Sequence, residues 1–240
     1  MNSNNCSVSI VIPVYNEQKI LRRQIEHIIK ELRSRSKFKY EIILVANGCT
    51  DNTFRICKDL NRYKAVRTIF LDKADYGYAL RAGMSSAIGK MIVNFDIDFY
   101  DINFLFQALA LEPFGYDIIV ASKNIKLSSD NRKLIRRVIS GLYKYVLYYG
   151  FGLQVSDTHG IKAWRNDKKL RKLIDKTVNN KEIFDTELII RSQYAGRKLL
   201  ELPTNVKEIR KSVSSIFKRA LRGSLQIFKL WLSIKIFEKR

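Results

Sequence analysis

Short apolar runs alternate with helix-like segments over the first hundred residues. The apolar runs predict buried strands at Ser7–Pro13, Tyr40–Val45, Ala65–Leu71 and Met91–Phe95. Between them, apolar residues recur at helical spacing, which predicts helices over Gln18–Leu32, Thr53–Leu60 and Gly77–Ala87. Strands and helices that alternate in this way favour crossover units, and therefore an α/β fold with a mostly parallel sheet flanked by helices.

The second half of the chain is less regular. Its pattern predicts strands at Asp117–Ala121 and Leu199–Pro203, a helix over Asp185–Ala195, and a basic, aromatic helical segment over Asn131–Tyr149. No Gly/Ser-rich linker interrupts the chain. We therefore expect one domain over residues 1–211, with halves at 1–120 and 121–211, followed by a helical extension over 212–240.

Charge separates these two halves. The chain of 240 residues has a formal net charge of +21. Residues 1–120 contribute +3 of it and residues 121–240 contribute +18. Such an excess indicates an anionic partner, which could be nucleic acid, an acidic membrane surface or a phosphate-bearing substrate. Three cysteines and two histidines argue against a zinc site.

Two carboxylates follow the fourth predicted strand. Asp96 and Asp98 are one residue apart on the turn after Met91–Phe95. Ligands of parallel sheets bind outside the carboxyl ends of the strands, where this turn would lie. Paired carboxylates suit Mg²⁺ or Mn²⁺, which would also take oxygens from a diphosphate. We therefore expect a divalent cation at Asp96 and Asp98.

Four segments in a fixed order give this turn its context. They are Val11-Ile-Pro-Val-Tyr-Asn-Glu17, Val45-Ala-Asn-Gly-Cys-Thr-Asp-Asn-Thr53, the stretch from Lys73 to Lys90, and Asp96-Ile-Asp98. The set resembles the family-2 glycosyltransferases of the GT-A fold, above all the branch with polyprenyl-phosphate acceptors, such as the dolichol-phosphate mannose synthases. The resemblance spans roughly residues 7–211 and is strongest over the first hundred.

The resemblance implies a nucleotide-sugar site in the first half. It implies that the donor is contacted by Pro13, Tyr15, Glu17, Asn47 and Lys73. It also implies that Asp96 binds both the donor and the metal, and that Asp98 binds the metal and takes part in catalysis.

The chain departs from the family's pattern at two places. Where the family has Asp-Asp-Gly-Ser, this chain has Ala46-Asn47-Gly48-Cys49. The altered motif leaves the identity of the donor's nucleobase undetermined. Tyr100 stands two residues after Asp98, where the polyprenyl branch often has a glutamine. Water or Asp101 would then have to supply the metal ligand that the glutamine provides.

In the second half, the resemblance implies an acceptor site. Asp157 precedes a Gly-x-x-x-aromatic run and would deprotonate an acceptor hydroxyl, or orient an acceptor that is already ionised. Lys123, Arg137 and Arg210 are the candidates for holding an acceptor phosphate. The lysine at 123 stands where the branch has an arginine, so it keeps the charge without the bidentate geometry.

The last residues read as a basic amphipathic helix. Phe217, Leu221, Leu225, Phe228, Leu232 and Ile236 form one stripe, and residues 207–240 carry a net charge of +8. Such a helix favours an anionic membrane surface. Packing on the protein core or on a membrane-spanning partner protein is the alternative. The tyrosine-rich Leu142–Phe151 is either a second element at the membrane interface or a buried segment.

These observations together predict an inverting, metal-dependent transfer from a nucleotide-diphosphate sugar, such as GDP-mannose or a UDP-hexose, to a polyprenyl phosphate. We expect a cytoplasmic protein that is peripheral on the cytosolic membrane face and binds no nucleic acid. Three alternatives stay open: a transferase with a sugar-hydroxyl acceptor that builds a surface polysaccharide or glycolipid, a basic nucleic-acid-binding module, and a catalytically idle homologue.

Overall fold

The computed structural model describes residues 6–122, 134–158, 160–179, 181, 183–204 and 226–232, with the backbone alone at 134–140, 142 and 143. Its strands are β1 Val8–Val14, β2 Tyr40–Asn47, β3 Val66–Leu71, β4 Met91–Asn94, β5 Ile118–Ser122, β6 Lys162–Arg165 and β7 Leu199–Pro203. Its helices are α1 Leu21–Arg35, α2 Thr53–Leu60, α3 Tyr76–Ser86, α4 Ile102–Leu111, α5 Leu134–Phe151, α6 Lys168–Lys176, α7 Phe184–Tyr194 and α8 at 226–232.

The strands form a sheet in the order β3-β2-β1-β4-β6-β5-β7. β1 is central and pairs in parallel with β2 and with β4. Its side chains are almost entirely buried, as expected for a strand of Val and Ile that is covered on both faces. The predicted α/β fold with a mostly parallel sheet is therefore confirmed.

β6 is the exception to the parallel arrangement and was not predicted from the sequence. It lies between β4 and β5 and runs antiparallel to both. Asn94, the last residue of β4, pairs with Lys162, the first residue of β6. Residues just before β6 therefore lie at the edge where β4 ends. Helices α4 and α6 were also absent from the sequence prediction.

Two apolar clusters cover the two faces of the sheet. One contains Ile10, Ile25 and Leu44, and so joins β1 and β2 to α1. The other contains Val11, Leu80 and Phe184, and so joins the opposite face of β1 to α3 and α7. This packing fixes the loops at the carboxyl ends of β1, β2 and β4.

α8 packs on the second of these clusters. Its Ile227 and Leu230 are each 3% exposed and belong to that cluster. Within the described residues, no helix combines the length and apolar composition required to cross a bilayer.

Candidate active site

A cleft of about 590 Å³ opens at the carboxyl ends of β1, β2 and β4. This is the place where parallel sheets bind ligands. Six of the predicted donor and metal residues line it: Pro13, Tyr15, Glu17, Asn47, Asp96 and Asp98. Ala74, Asp75, Tyr76, Ile97, Lys181 and Gln226 complete the lining. All of the predicted donor and metal residues except Lys73 thus share one cleft, whereas this second set was not assigned to it from the sequence.

A tight turn after β4 holds the two carboxylates. The Asp96 N–H donates to the Phe99 carbonyl at 3.1 Å, and the Phe99 N–H donates back to Asp96 at 3.0 Å. Ile97 between them is 3% exposed and anchors the turn in the apolar core. With Ile97 turned inward, Asp96 and Asp98 are left to face the cleft.

Burial and a like charge perturb the first carboxylate. Desolvation, followed by the neighbouring charge of Asp98, raises the pKa of Asp96 from 3.8 to about 6. The Tyr76 hydroxyl donates to Asp96 Oδ1 at 3.3 Å. Burial and the nearby Asp96 raise the pKa of Tyr76 well above its ordinary value, so this phenol keeps its proton. Tyr76 therefore acts as a hydrogen-bond donor that orients the Asp96 carboxylate.

The chemistry of this donor set fits a divalent cation. Mg²⁺ commonly binds through one or two carboxylates together with substrate phosphates. Asp96 and Asp98 supply two carboxylates in a cleft large enough for a diphosphate, and the described residues contain no group of three metal-ligating side chains. A cation held here would neutralise the charge of a departing diphosphate.

Asn47 connects the three loops of the donor side. It is 3% exposed and is the last residue of β2. In the amide orientation that satisfies its neighbours, its nitrogen donates to the Val14 carbonyl at 2.7 Å and its oxygen accepts from the Asp75 N–H at 3.3 Å. An aspartate in its place would lack the donor for Val14. Asn47 is therefore suited to this loop arrangement as well as to contact with a ligand.

The loops after β1 and β2 are joined by hydrogen bonds. Asn16 has a positive φ of 54° and accepts from the Thr50 N–H at 2.8 Å. The Glu17 N–H donates to Thr53 Oγ1 at 2.8 Å. The Gln18 N–H donates to Asp51 at 3.3 Å. Tyr15 and Glu17 thus belong to a loop whose course the second loop determines, while Pro13 lies near the end of β1.

Gly48 is required by the close approach of the β2 and β3 loops. Its φ is +56°, and a Cβ at this position would lie 2.5 Å from the Ala74 nitrogen. Its N–H donates to the Leu71 carbonyl at 2.7 Å. Only glycine combines this backbone conformation with this separation. Of the four residues in the altered motif, the glycine is therefore the one that the structure explains sterically.

Tyr100 and Asp101 lie outside the set that lines the cleft. The Tyr100 hydroxyl donates to Gln24 Oε1 on α1 at 2.8 Å. Asp101 caps α4, with its Oδ1 accepting from the N–H groups of Asn103 and Phe104. Each side chain therefore has a structural role in the first half, and neither completes a ligand set with Asp96 and Asp98.

Asp157 and Lys73 also lie outside the lining set. Lys73 is exposed on the loop before α3. The Asp157 N–H donates to Glu201 Oε1 at 3.1 Å, and Ser156 donates to the same oxygen. The loop that carries Asp157 continues to Gly160, whose carbonyl accepts from Asn94 Nδ2 at 3.0 Å. Asp157 therefore lies three residues from a contact with the end of β4.

A buried ion pair lies close to the Asp96 turn. Lys162 Nζ contacts Asp185 Oδ2 at 2.7 Å, and their side chains are 0% and 2% exposed. Lys162 also donates to the Gly160 carbonyl at 2.8 Å. Both charges act on Asp96, Lys162 to lower its pKa and Asp185 to raise it. Neither residue was predicted from the sequence, because a lysine that begins a four-residue strand gives no local sign of a buried partner.

The loop before α7 places Lys181 at the cleft. Glu187 is fully buried and accepts from the N–H groups of Val178 and Asn179 at 3.0 and 2.9 Å. It also pairs with Arg191 at 2.7 Å. Glu187 thereby fixes the backbone that leads to Lys181, an exposed cation in the cleft lining.

Three predicted acceptor residues have no described side chain. Lys123 and Arg210 lie outside the described residues, and Arg137 belongs to α5, where only its backbone is described. Most of the predicted C-terminal helix also lies outside them. Their roles, and the domain boundaries at 120 and 211, stay predictions.

Comparison with known proteins identifies the family. The model for glycosyl transferase family 2 matches residues 9–174. A curated relative from Proteus mirabilis, an undecaprenyl-phosphate 4-deoxy-4-formamido-L-arabinose transferase, is 29% identical over 140 residues, which are 56% of this chain and 42% of that protein. Human dolichyl-phosphate beta-glucosyltransferase is 29% identical over 224 residues, which are 84% of this chain and 68% of that protein. The chain thus spans less than half of the bacterial relative.

Solved structures show the same fold. Glucosyl-3-phosphoglycerate synthase from Mycobacterium tuberculosis, in complex with Mn²⁺, UDP and glucosyl-3-phosphoglycerate, superposes with a TM-score of 0.67 at 16% identity. The match covers 96% of this chain and 80% of that one. The predicted GT-A fold is therefore confirmed. From the match that covers residues 9–174, the chain belongs to glycosyl transferase family 2.

Proposed function

We propose that this chain transfers a sugar from a nucleoside-diphosphate donor to a polyprenyl phosphate. One observation carries the proposal. Asp96 and Asp98 share a cleft with Pro13, Tyr15 and Asn47 at the carboxyl ends of the central strands. That arrangement provides carboxylates for a cation that binds a diphosphate, together with a separate surface for a nucleoside.

The nucleoside would lie against the loops after β1 and β2. Tyr15 is 48% exposed at the cleft, and an exposed aromatic ring is a stacking surface for a base. Glu17 would accept hydrogen bonds from the ribose hydroxyls. GDP-mannose and UDP-hexoses are the donors to test first.

The transfer is an inverting displacement. An oxygen of the acceptor phosphate forms a bond to the anomeric carbon of the sugar. The bond from that carbon to the diphosphate oxygen breaks, and its electron pair leaves with the nucleoside diphosphate. A phosphate acceptor is already ionised, so no proton must be removed from it. The acceptor phosphate would be held by basic side chains, namely Lys123, Arg137, Lys181 and Arg210.

Asp157 distinguishes two kinds of acceptor. A sugar hydroxyl must lose a proton during the attack, and Asp157 would accept it. For a phosphate acceptor, Asp157 orients the acceptor instead. The relatives named for transfer to undecaprenyl and dolichyl phosphate support the phosphate.

The site of action follows from the acceptor. We propose that the protein works as a peripheral protein on the cytosolic face of the membrane, where nucleotide sugars are available. The net charge of +21 supports contact with anionic lipids.

A transfer assay tests this function. Purified full-length protein is incubated with labelled GDP-mannose, UDP-glucose or UDP-galactose, Mn²⁺ and a short-chain polyprenyl phosphate in solution. We expect transfer from one donor, and a loss of about a thousandfold in kcat/KM for Asp98→Ala, because the cation would lose a ligand. Asp59→Ala is the matched control, since that carboxylate pairs with Arg22 on the exposed surface. Absence of transfer from all donors, or full activity in Asp98→Ala, contradicts the proposal.

Two further variants decide the acceptor. For a phosphate acceptor, Lys123→Ala should reduce kcat/KM more than Asp157→Asn does. The reverse order, with transfer to a sugar hydroxyl, would identify the alternative transferase.

A further inference from the structure

Helix α5 exposes a row of tyrosines. Its Leu147 and Phe151 are both 3% exposed and pack in the core. Tyr145, Tyr148 and Tyr149 are 58%, 57% and 68% exposed. The ring centroids of Tyr145 and Tyr149 are 4.3 Å apart, and those of Tyr148 and Tyr149 are 5.1 Å apart. The three rings therefore form one cluster on the outside of the helix.

Helix α8 exposes two more aromatic rings. Phe228 and Trp231 are 57% and 36% exposed, and their rings are stacked at 6.4 Å. A Cβ at Gly150 of α5 would lie 3.7 Å from Trp231 Cδ1. The two helices thus meet at Gly150, which directly follows Tyr149 in the chain. We call Tyr145, Tyr148, Tyr149, Phe228 and Trp231 the aromatic surface.

The charge around the aromatic surface has one sign. Lys144 and Lys229 are exposed on the same two helices. Neither the sequence of α5 nor residues 226–232 contains an aspartate or glutamate. Exposed aromatic clusters of this size mark binding surfaces in soluble proteins. Tyrosine and tryptophan with flanking lysines are the residues that concentrate at the headgroup level of a bilayer.

The aromatic surface adjoins the cleft. Gln226 starts the described part of α8 and lines the cleft, two residues before Phe228. A bilayer against the aromatic surface would therefore lie beside the place where the acceptor must enter. A polyprenyl phosphate could then keep its chain in the lipid while its phosphate reaches the cleft.

We propose that the aromatic surface docks on an anionic lipid bilayer, with its rings at the boundary between headgroups and acyl chains. The inference rests on the proposed lipid acceptor and adds the surface through which the protein meets the membrane. Lys144 and Lys229 provide the attraction to anionic headgroups. Membrane binding thus uses the tyrosines of α5 together with Phe228 and Trp231 of the C-terminal segment.

Tryptophan fluorescence tests the contact directly. The chain has two tryptophans, and Trp164 is fully buried, so Trp231 reports on the aromatic surface. Full-length protein is mixed with vesicles of phosphatidylcholine with about one-third phosphatidylglycerol, without donor or acceptor. We expect a blue shift of the emission, and quenching when the acyl chains carry bromine. Trp231→Phe should remove both responses.

A pair of matched variants tests the tyrosines. We expect Tyr148→Ser/Tyr149→Ser to lower the partition coefficient for these vesicles by about tenfold, because two apolar rings no longer leave water. Phe114→Ser is the control, since Phe114 is 73% exposed and lies before β5, away from the carboxyl edge of the sheet. Its partition coefficient should not change.

Three outcomes would overturn the inference. In the first, the protein binds vesicles but Trp231 is not quenched, so a different part of the chain contacts the lipid. In the second, Tyr148→Ser/Tyr149→Ser and Phe114→Ser have the same partition coefficient for the vesicles. In the third, the protein ignores vesicles and forms a dimer that Tyr148→Ser/Tyr149→Ser dissociates, so a second copy covers the surface. Transfer to the short-chain acceptor in solution needs no vesicle, so failure here and failure of the proposed function are separate results.

Discussion

The two halves of the molecule hold their share of the cleft in different ways. On the donor side, hydrogen bonds between loops position the lining residues, as between Glu17 and Thr53. On the acceptor side, buried charges do so, with Lys162 paired to Asp185 and Arg191 paired to Glu187. Loop hydrogen bonds are worth about 1 kcal/mol each and adapt to a ligand. A buried ion pair is costly to break and keeps its geometry.

The difference explains how a strongly basic half remains folded. Among its described residues, buried charged side chains have partners of opposite sign, as again where the buried Arg197 contacts Asp167 at 2.7 Å. The uncompensated excess is left for the surface, where it is available to anionic ligands. Net charge and buried charge are therefore separate properties of this half.

Breaking the buried pair should have the largest effect. We expect Lys162→Met to lower the free energy of unfolding by about 3–5 kcal/mol, because Asp185 keeps a buried charge without its partner. Urea denaturation measures this loss. The double variant Lys162→Met/Asp185→Leu should recover most of it. Arg22→Met, which breaks an exposed pair with Asp59, should cost no more than about 1 kcal/mol. Equal losses at the two pairs would remove the contrast between the halves.

The donor side should show an unusual dependence of stability on pH. The folded pKa of Asp96, about 6, lies above its unfolded value of 3.8. Between these values the folded protein keeps a proton that the unfolded chain releases, so stability falls as pH rises. We expect the stability of the wild type relative to Asp96→Asn to fall by about 2 kcal/mol between pH 4 and pH 7. Urea titrations with a metal chelator measure the difference, and a flat or rising difference would contradict the assignment.

The smallest effect should come from the loop hydrogen bonds. Thr53→Val removes the acceptor for the Glu17 N–H, and should lower the free energy of unfolding by about 1 kcal/mol. Because Glu17 lines the cleft, we also expect the KM for the nucleotide sugar to rise more than kcat falls. Thr53→Ser keeps the hydroxyl and should resemble the wild type. An unchanged KM in Thr53→Val would mean that this loop connection does not position the donor.

The sequence predicted the donor half well because its information is local. β1 is a run of apolar, mostly β-branched residues, and Asp96 and Asp98 follow β4 directly, so pattern alone places them at the cleft. Tyr76 was missed because its role depends on a turn twenty residues away.

The acceptor half was harder to predict for a physical reason. β6 has four residues and begins with a lysine, so its pattern does not indicate a buried strand. Asp185 neutralises that lysine from 23 residues further along the chain. Lys181 and Gln226 likewise reach the cleft through tertiary packing rather than through a motif. Long-range charge pairing, which no local pattern records, determines this half.

Because β6 runs antiparallel to β4, a second set of residues lies at the edge of the sheet that carries the cleft. A parallel strand can deliver to that edge only the residues that come after it. A strand of opposite polarity delivers the residues that come before it, and Gly160 and Ile161 reach the edge in this way. Insertions or exchanges just before β6 could thus alter acceptor choice while the loops after β1, β2 and β4 retain their sequence. Under the proposed function, acceptor and donor specificity can therefore change independently over evolution.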